Sequence, residues 1–279
     1  MAASVAILYL CTGKYTVFWP DFYRSFEENF LPGMEKTYFV FTDAENIEFD
    51  EAEKVRRIYQ QPYDWPYSTM KRFHVFLTQS EALAKFDYLF FGNANLRCCA
   101  PVGALELLPD VQSGRQLVVV RHPGYWDKAP QFLPYDRNPR CRAYIPYNCG
   151  SVYVAGGLNG GTAPAFLALC RELDARTEAD LADGVIPRWH DESELNRLVA
   201  EMPERFRVLD PGYCMPEGVE LPFETKVLVR QKANWIDVAA VKGKAKKQGF
   251  LQQKWGAFRE NYLPNFFRWR DGVCGKGLR

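Results

Sequence analysis

Three short runs in this 279-residue chain bring together residue types that can do chemistry. The first is Trp189-His190-Asp191-Glu192-Ser193, an aromatic ring, an imidazole and two adjacent carboxylates at what reads as the start of a helix. Neighbouring carboxylates are the residue type for acid–base and charge-stabilising work. The structural alternative is a cap: Asp191 fits the capping position and the acids suit the helix dipole. The second run is Gly92-Asn93-Ala94-Asn95, whose amides can donate and accept hydrogen bonds, although Gly and Asn are also ordinary turn residues. The third is Ala155-Gly156-Gly157-Leu158-Asn159-Gly160-Gly161, where glycines allow a ligand to approach the backbone closely, or simply make a flexible loop. No Gly-Lys-Ser/Thr follows and the G-x-G-x-x-G spacing is absent, which excludes a phosphate loop.

The elements that must position these runs follow from hydrophobic patterning. Residues 5–10 (VAILYL) and 37–42 (TYFVFT) are apolar almost throughout, as strands covered on both faces are. Between them, residues 22–30 read as a helix carrying Phe22, Phe26 and Phe30 on one face. That β-α-β opening predicts a nucleotide-binding sheet. Residues 70–84 read as a helix leading into a third strand, 88–91 (YLFF). The Asn93–Asn95 run would then emerge at the carboxyl edge of the sheet, where open α/β sheets bind ligands. Residues 117–120 and 152–154 are further strand candidates, 163–173 and 192–202 are helices, and 101–161 carries most of the loops. With no repeat and no dividing linker, one α/β domain is expected.

Hydrophobic residues make up 47% of the chain, enough for a substantial core, and the net charge of +1 argues against a general nucleic-acid binder. The charge is unevenly placed. From residue 242 onward the chain holds 10 Lys/Arg and 2 Asp/Glu, a net of +8, so the remainder carries −7. In that tail Leu251, Trp255, Phe258 and Tyr262 recur at helical spacing among the cations, a pattern that suits an anionic membrane surface or a docked helix with solvated charges. The eight cysteines show no C-x-x-C or zinc-like spacing, which is most simply read as a reduced, cytosolic chain. The first apolar run lacks a basic flank and is too short for a signal peptide, and no stretch approaches a membrane-spanning length.

In their shared order these patterns resemble one family. The chain is similar to bacterial members of glycosyltransferase family 6, the family of the histo-blood-group A and B transferases and α-1,3-galactosyltransferase. The resemblance runs from about residue 5 to 232. It is carried by Cys-Thr-Gly-Lys-Tyr at 11–15, Lys-Arg-Phe-His at 71–74, Asn-Ala-Asn at 93–95 and His-Pro-Gly-Tyr at 122–125. Ala-Tyr-Ile-Pro at 143–146, Ala-Gly-Gly-x-x-Gly-Gly at 155–161, Trp-His-Asp-Glu-Ser at 189–193 and Arg-x-Lys at 230–232 complete it.

The resemblance implies a GT-A-type single domain over residues 1–241, a mixed, mostly parallel nucleotide-binding sheet flanked by helices, followed by the basic aromatic tail 242–279. It implies a retaining hexosyltransferase that uses a UDP-sugar and makes an α-1,3 linkage. Leu10, Cys11, Thr12 and Tyr15 would line the uracil and ribose pocket. Asn93 and Asn95 stand where animal members carry an Asp-x-Asp metal motif. Asn is a poorer ligand for hard cations, and the departure matches metal-independent bacterial members, so no metal or other cofactor is expected. Lys232 matches a lysine that reaches the diphosphate, and Lys71 or Arg72 lies where the family places a basic residue near the donor; Lys242 and Lys244 are candidates for a second C-terminal cation. Asp191 would bind the donor sugar's hydroxyls. Glu192 would sit beneath the anomeric carbon, as nucleophile or as counter-charge. Ala155, Gly156 and Gly157 align with the donor-selecting positions, and their small size favours UDP-N-acetylgalactosamine over UDP-galactose. Trp189 offers an apolar face to an acceptor, His122 is either an acceptor contact or structural, and His190 is structural.

The implied acceptor is an oligosaccharide or glycolipid ending in galactose, often fucosylated. A lipid-linked acceptor would place the protein in the cytoplasm, peripheral at the inner membrane surface. The main competing expectation is a UDP-sugar- or carbohydrate-binding protein of the same fold without catalysis, which Asp191, Glu192 and Lys232 argue against. An inverting transferase and a sugar-nucleotide hydrolase are separable by product anomer and acceptor dependence. A nucleic-acid-binding role for the tail is disfavoured by the acidic body.

Overall fold

The computed structural model describes residues 3–242 and 263–278. The strands are β1 (Ser4–Leu10), β2 (Glu35–Thr42), β3 (Val55–Tyr59), β4 (Tyr88–Gly92), β5 (Leu96–Cys98), β6 (Leu117–Arg121), β7 (Val154–Thr162), β8 (Phe206–Leu209), β9 (Met215–Pro216) and β10 (Val227–Val229). The helices are α1 (Trp19–Asn29), α2 (Tyr67–Met70), α3 (Arg72–Leu77), α4 (Ser80–Leu83), α5 (Ala104–Leu107), α6 (Ala163–Ala182), α7 (Asp191–Glu201) and α8 (Val238–Lys242). A further helix, here α9, spans Leu263–Val273. Seven strands form one sheet in the order β3-β2-β1-β4-β7-β6-β8, and β5, β10 and β9 form a small second sheet. In the large sheet only β7 runs antiparallel to its neighbours.

Strand periodicity divides the core in two. Val5, Ile7 and Tyr9 of β1 face a cluster that contains Phe22, Phe26 and Phe30, whereas Ala6 and Leu8 face a cluster built from α3, α6 and α7. The four-residue spacing of the phenylalanines stacks Phe22 on Phe26 at 3.9 Å and Phe26 on Phe30 at 4.8 Å between ring centroids. Removing one such ring would cost about 3–5 kcal/mol.

Two expectations need correction. Residues 70–84 do not form one helix; they form α2, α3 and α4 in succession. Thr69 and Thr78 donate their hydroxyls to the carbonyls of Pro66 (2.8 Å) and Val75 (2.7 Å), a back-bonding that competes with helix propagation. The glycine-rich run is not a loop after a short strand either: β7 passes straight through it. A Cβ on Gly160 would lie 2.3 Å from Phe90 Cδ1 and 2.5 Å from the Leu89 carbonyl, and one on Gly161 would lie 2.4 Å from the Gln116 carbonyl. These glycines answer to crowding by β4 and β6 rather than to mobility. The structure joins none of the eight cysteines to another.

Candidate active site

The carboxyl ends of β1 and β4 open onto a cavity of about 580 Å³. Leu10, Thr12, Gly13, Lys14 and Tyr15 line it from the end of β1, and Phe91, Asn93 and Ala94 from the end of β4. Arg188, Trp189 and His190 approach it just before α7, and Lys232 and Val241 from the C-terminal side. Lys14, Arg72, Arg188 and Lys232 face the cavity against a single carboxylate, Asp64, so its field favours an anionic ligand. The Lys232 ammonium lies 5.1 Å from the centre of the Tyr15 ring, a cation–π contact that ties the two sides together.

Behind this cavity the sheet is deliberately irregular. Between Val119 and Val120 the β6–β7 register jumps from Asn159 to Ala155, so Gly156, Gly157 and Leu158 bulge out of that ladder. The bulge brings the Gly157 carbonyl to the Asn93 backbone N–H at 2.8 Å. It also presents the Gly156 N–H to Glu192 Oε2 at 2.8 Å, while the Tyr153 hydroxyl donates to Glu192 Oε1 at 2.8 Å. Both carboxylate oxygens are therefore fixed. Burial raises the Glu192 pKa, and the Gly156 and Tyr153 hydrogen bonds together with the Arg72 charge act against that rise.

His190, with a positive φ of 56°, occupies the capping position of α7, so Asp191 is not the cap. Asp191 is buried and pairs instead with Arg72, Nη1 to Oδ2 at 3.2 Å. Burial pushes its carboxyl up to about 6, with the Arg72 charge opposing. Arg72 begins α3, donates to the Gly156 carbonyl at 3.1 Å and stacks 4.5 Å over the Phe91 ring. One guanidinium thus joins the cavity floor, the glycine bulge and the acidic start of α7.

The structure gathers Leu10, Thr12, Tyr15, Arg72, Asn93, Trp189 and Lys232 on the cavity wall. Asp191, Glu192, Ala155, Gly156 and Gly157 form the layer behind it. A Cβ on Gly156 would come within 3.3 Å of the Glu192 side chain, and one on Gly157 within 3.2 Å of Asn93 Nδ2. The remaining candidates stand elsewhere. The Cys11 side chain is sealed in the core and burial pushes its thiol up to about 12. Lys71 points away to an ion pair with Glu178 on α6. Asn95 donates its side-chain amide to the Arg230 carbonyl at 2.6 Å and accepts the Arg230 N–H on its backbone carbonyl at 2.9 Å, so it latches the segment that delivers Lys232. His122 accepts the Gly124 N–H on Nδ1 at 3.0 Å, and burial pushes its imidazole down to about 4. Its ring meets Tyr153 edge-on at 5.7 Å, which places it two steps behind Glu192. The expectations for Lys244 and for the aromatic stripe 251–262 lie outside the described residues, and so does the side chain of Lys242.

The cavity also enlists residues that sequence reasoning passes over: Tyr63, Asp64, Trp65, Ser68 and Thr69, in and beside the β3–α2 loop. The available signal is the run Pro62-Tyr63-Asp64-Trp65-Pro66-Tyr67, whose three aromatics stay 38–43% exposed. Part-exposed aromatic rings held by prolines on a loop suit ligand contact. Trp65 packs edge-on against His190 at 5.3 Å, so loop and α7 start close on the same opening.

Comparison with known proteins agrees with this geometry. The family model for glycosyltransferase family 6 matches residues 2–241. The chain is 32% identical over 228 residues to the O-antigen biosynthesis glycosyltransferase WbnI of Escherichia coli, covering 82% of this chain and 94% of that protein. It is 29% identical over 248 residues to globoside alpha-1,3-N-acetylgalactosaminyltransferase 1 of Mus musculus, covering 84% and 68%. To the histo-blood group ABO system transferase 1 of Rattus norvegicus it is 29% identical over 218 residues, covering 75% of this chain and 60% of that protein.

Proposed function

The chain belongs to glycosyltransferase family 6, and on that premise we propose that it is a retaining, metal-independent transferase of N-acetylgalactosamine, or of galactose. The donor is the UDP-sugar, and the sugar passes to a galactose-terminated, often fucosylated glycan in an α-1,3 linkage. The mixed seven-stranded sheet flanked by helices is of the GT-A type. The observation that carries the proposal is the double fixing of Glu192 by Tyr153 and Gly156, directly behind a cation-lined cavity.

In this reading uracil and ribose lie against Leu10, Thr12 and Tyr15, and the diphosphate meets Lys232. Asn93 offers neutral amide hydrogen bonds where a metal ligand would need a carboxylate. Charge compensation for departing UDP then falls to Lys232 and Arg72, and loss of either would slow transfer about 10²–10³-fold. Asp191, set by Arg72, accepts a donor hydroxyl. Glu192 acts on the anomeric carbon as nucleophile or counter-charge, and two hydrogen bonds oppose the rise that burial gives its pKa. Small residues at 155–157 leave room for an acetamido group, consistent with the name of the mouse relative. The transferase domain is residues 1–241, and the basic segment from 242 brings the protein to a membrane surface bearing a lipid-linked acceptor.

The test is turnover of UDP-N-acetylgalactosamine and UDP-galactose with a fucosylated galactoside in the presence of EDTA, following UDP release and product anomer. The expected result is an α-linked product with EDTA present, lost in Glu192→Gln. Activity that requires added Mn²⁺ would overturn the metal-independent reading. UDP binding without turnover of either donor would favour a binding protein of this fold.

A further inference from the structure

Helix α9 carries two apolar faces, and among the described residues only one is covered. On the inner face Pro264 is buried and Phe267 packs on Tyr147 at 5.0 Å between ring centroids. Asp271, fully buried, accepts the Tyr147 backbone N–H at 3.0 Å and pairs with Arg270 and Lys276. Farther along, Asn148 donates to the Lys276 carbonyl at 2.7 Å and Leu278 packs against Leu133, Tyr135, Ile145 and Tyr153. The helix is firmly seated. Its opposite face nevertheless holds Phe266, Trp269 and Val273, spaced i, i+3 and i+7 on one stripe and exposed at 53%, 65% and 70%. Phe266 and Trp269 lie side by side at 6.0 Å, and Arg268 and Arg270 neighbour Trp269 in sequence, Arg268 reaching Gln131 and Arg270 reaching Asp271.

An exposed tryptophan–phenylalanine pair with arginines next to the tryptophan in sequence does not suit bulk water. Tryptophan and flanking cations are what an anionic bilayer interface accommodates, the rings entering the headgroup boundary and the cations meeting lipid phosphates. The C-terminal part of the sequence has the matching sign, a net of +8 from residue 242 onward. Residue 242, where that basic stretch begins, directly follows Val241, which lines the cavity. We propose that the Phe266–Trp269–Val273 stripe of α9 is an anionic-lipid docking surface, which holds the protein on a membrane that carries the acceptor. This deepens the membrane reading of the C-terminal segment given above and is independent of the transfer chemistry.

The experiment uses the full chain and co-sedimentation with phosphatidylcholine vesicles, with and without phosphatidylglycerol. Binding to the phosphatidylglycerol vesicles, weakened by salt and absent with phosphatidylcholine alone, is expected. The double variant Phe266→Ser/Trp269→Ser should lower that binding at least about tenfold. It should leave turnover of a soluble acceptor unchanged, because neither side chain faces the cavity. Trp269→Phe alone, which keeps the face apolar, should retain most of the binding. Equal vesicle binding by the double variant and the unmodified chain would overturn the proposal, as would no binding to anionic vesicles at low salt. If the unmodified chain is a dimer without lipid and the double variant a monomer, the stripe is a self-association face and the proposal also fails.

Discussion

At the scale of single residues, the site's chemistry rests on how two adjacent carboxylates are kept different. Burial raises Asp191 to about 6, Arg72 opposing and Glu192 adding, so Asp191 takes up a proton as pH falls through that value. Neutral Asp191 no longer balances Arg72, and in the proposed role it no longer accepts fully from a donor hydroxyl. Turnover should therefore fall on the acid side of pH 6 and be level toward neutrality, measurable as a pH profile of kcat/KM. Stability follows the opposite sign: the raised pKa favours the folded state at low pH and that contribution is lost as pH rises through 6. Tyr153→Phe removes a hydrogen bond to a charged group, which should lower kcat about 10–100-fold with little change in donor KM. Because that bond lowers the Glu192 pKa, its loss should also let Glu192 take up its proton at higher pH and add a second step to the acid side of the profile; an unchanged profile would reduce Tyr153 to packing. Asp191 and Glu192 are legible in the sequence because two acids beside Trp and His exceed what a helix start requires. Tyr153 is not, since nothing in a Val-Tyr-Val strand announces which carboxylate lies 39 positions away.

At the scale of elements, β1, β2 and β4 are legible from apolar runs alone, because strands covered on both faces have no polar side to show. The β7 strand is not. Glycine has low strand propensity, and only the tertiary crowding by Phe90, Leu89 and Gln116 explains its presence at 160 and 161. The consequence is specific. Gly160→Ala would drive a methyl group into the Phe90 ring and the Leu89 carbonyl, prying β7 from β4. We expect a loss of about 1–3 kcal/mol, seen as a Tm drop of about 2–4 °C per kcal/mol. Since the same strand carries the Gly156–Leu158 bulge, activity should decline with it. Gly272→Ala on α9, with no atom within 4 Å of the new methyl, is the control and should leave Tm unchanged or slightly higher. The β3–α2 loop shows the same limit from the other side: its aromatics are visible in the sequence, but their convergence on α7 is a product of topology.

At the scale of the whole molecule, the basic tail and the transferase body are less separate than a boundary at 241 suggests. The segment 263–278 is stapled to the loops between β6 and β7 by Asn265 and Arg268 on Gln131, by Phe267 on Tyr147 and by Asp271 on the Tyr147 N–H. Leu278 then reaches the cluster of Leu133, Tyr135, Ile145 and Tyr153, and Tyr153 is the residue that holds Glu192. A continuous set of contacts thus runs from the C-terminal helix to Glu192. Although burial alone would raise it, hydrogen bonds from Arg270, the Tyr147 N–H and Lys276 hold the Asp271 carboxyl below its ordinary value. The stability this group contributes is therefore present at neutral pH and is lost only as pH falls through its lowered pKa. Asp271→Asn keeps an oxygen for the Tyr147 N–H but gives up the charge that Arg270 and Lys276 neutralise, at a cost of about 1–3 kcal/mol. That loss should appear first as faster proteolysis of the C-terminal segment at neutral pH, with global Tm less affected. It should lower kcat severalfold through Tyr153 while leaving UDP affinity intact, because the wall proposed for UDP is built from the ends of β1 and β4 and from Lys232. Equal proteolysis of variant and unmodified chain would show that α9 is held by its aromatic contacts alone.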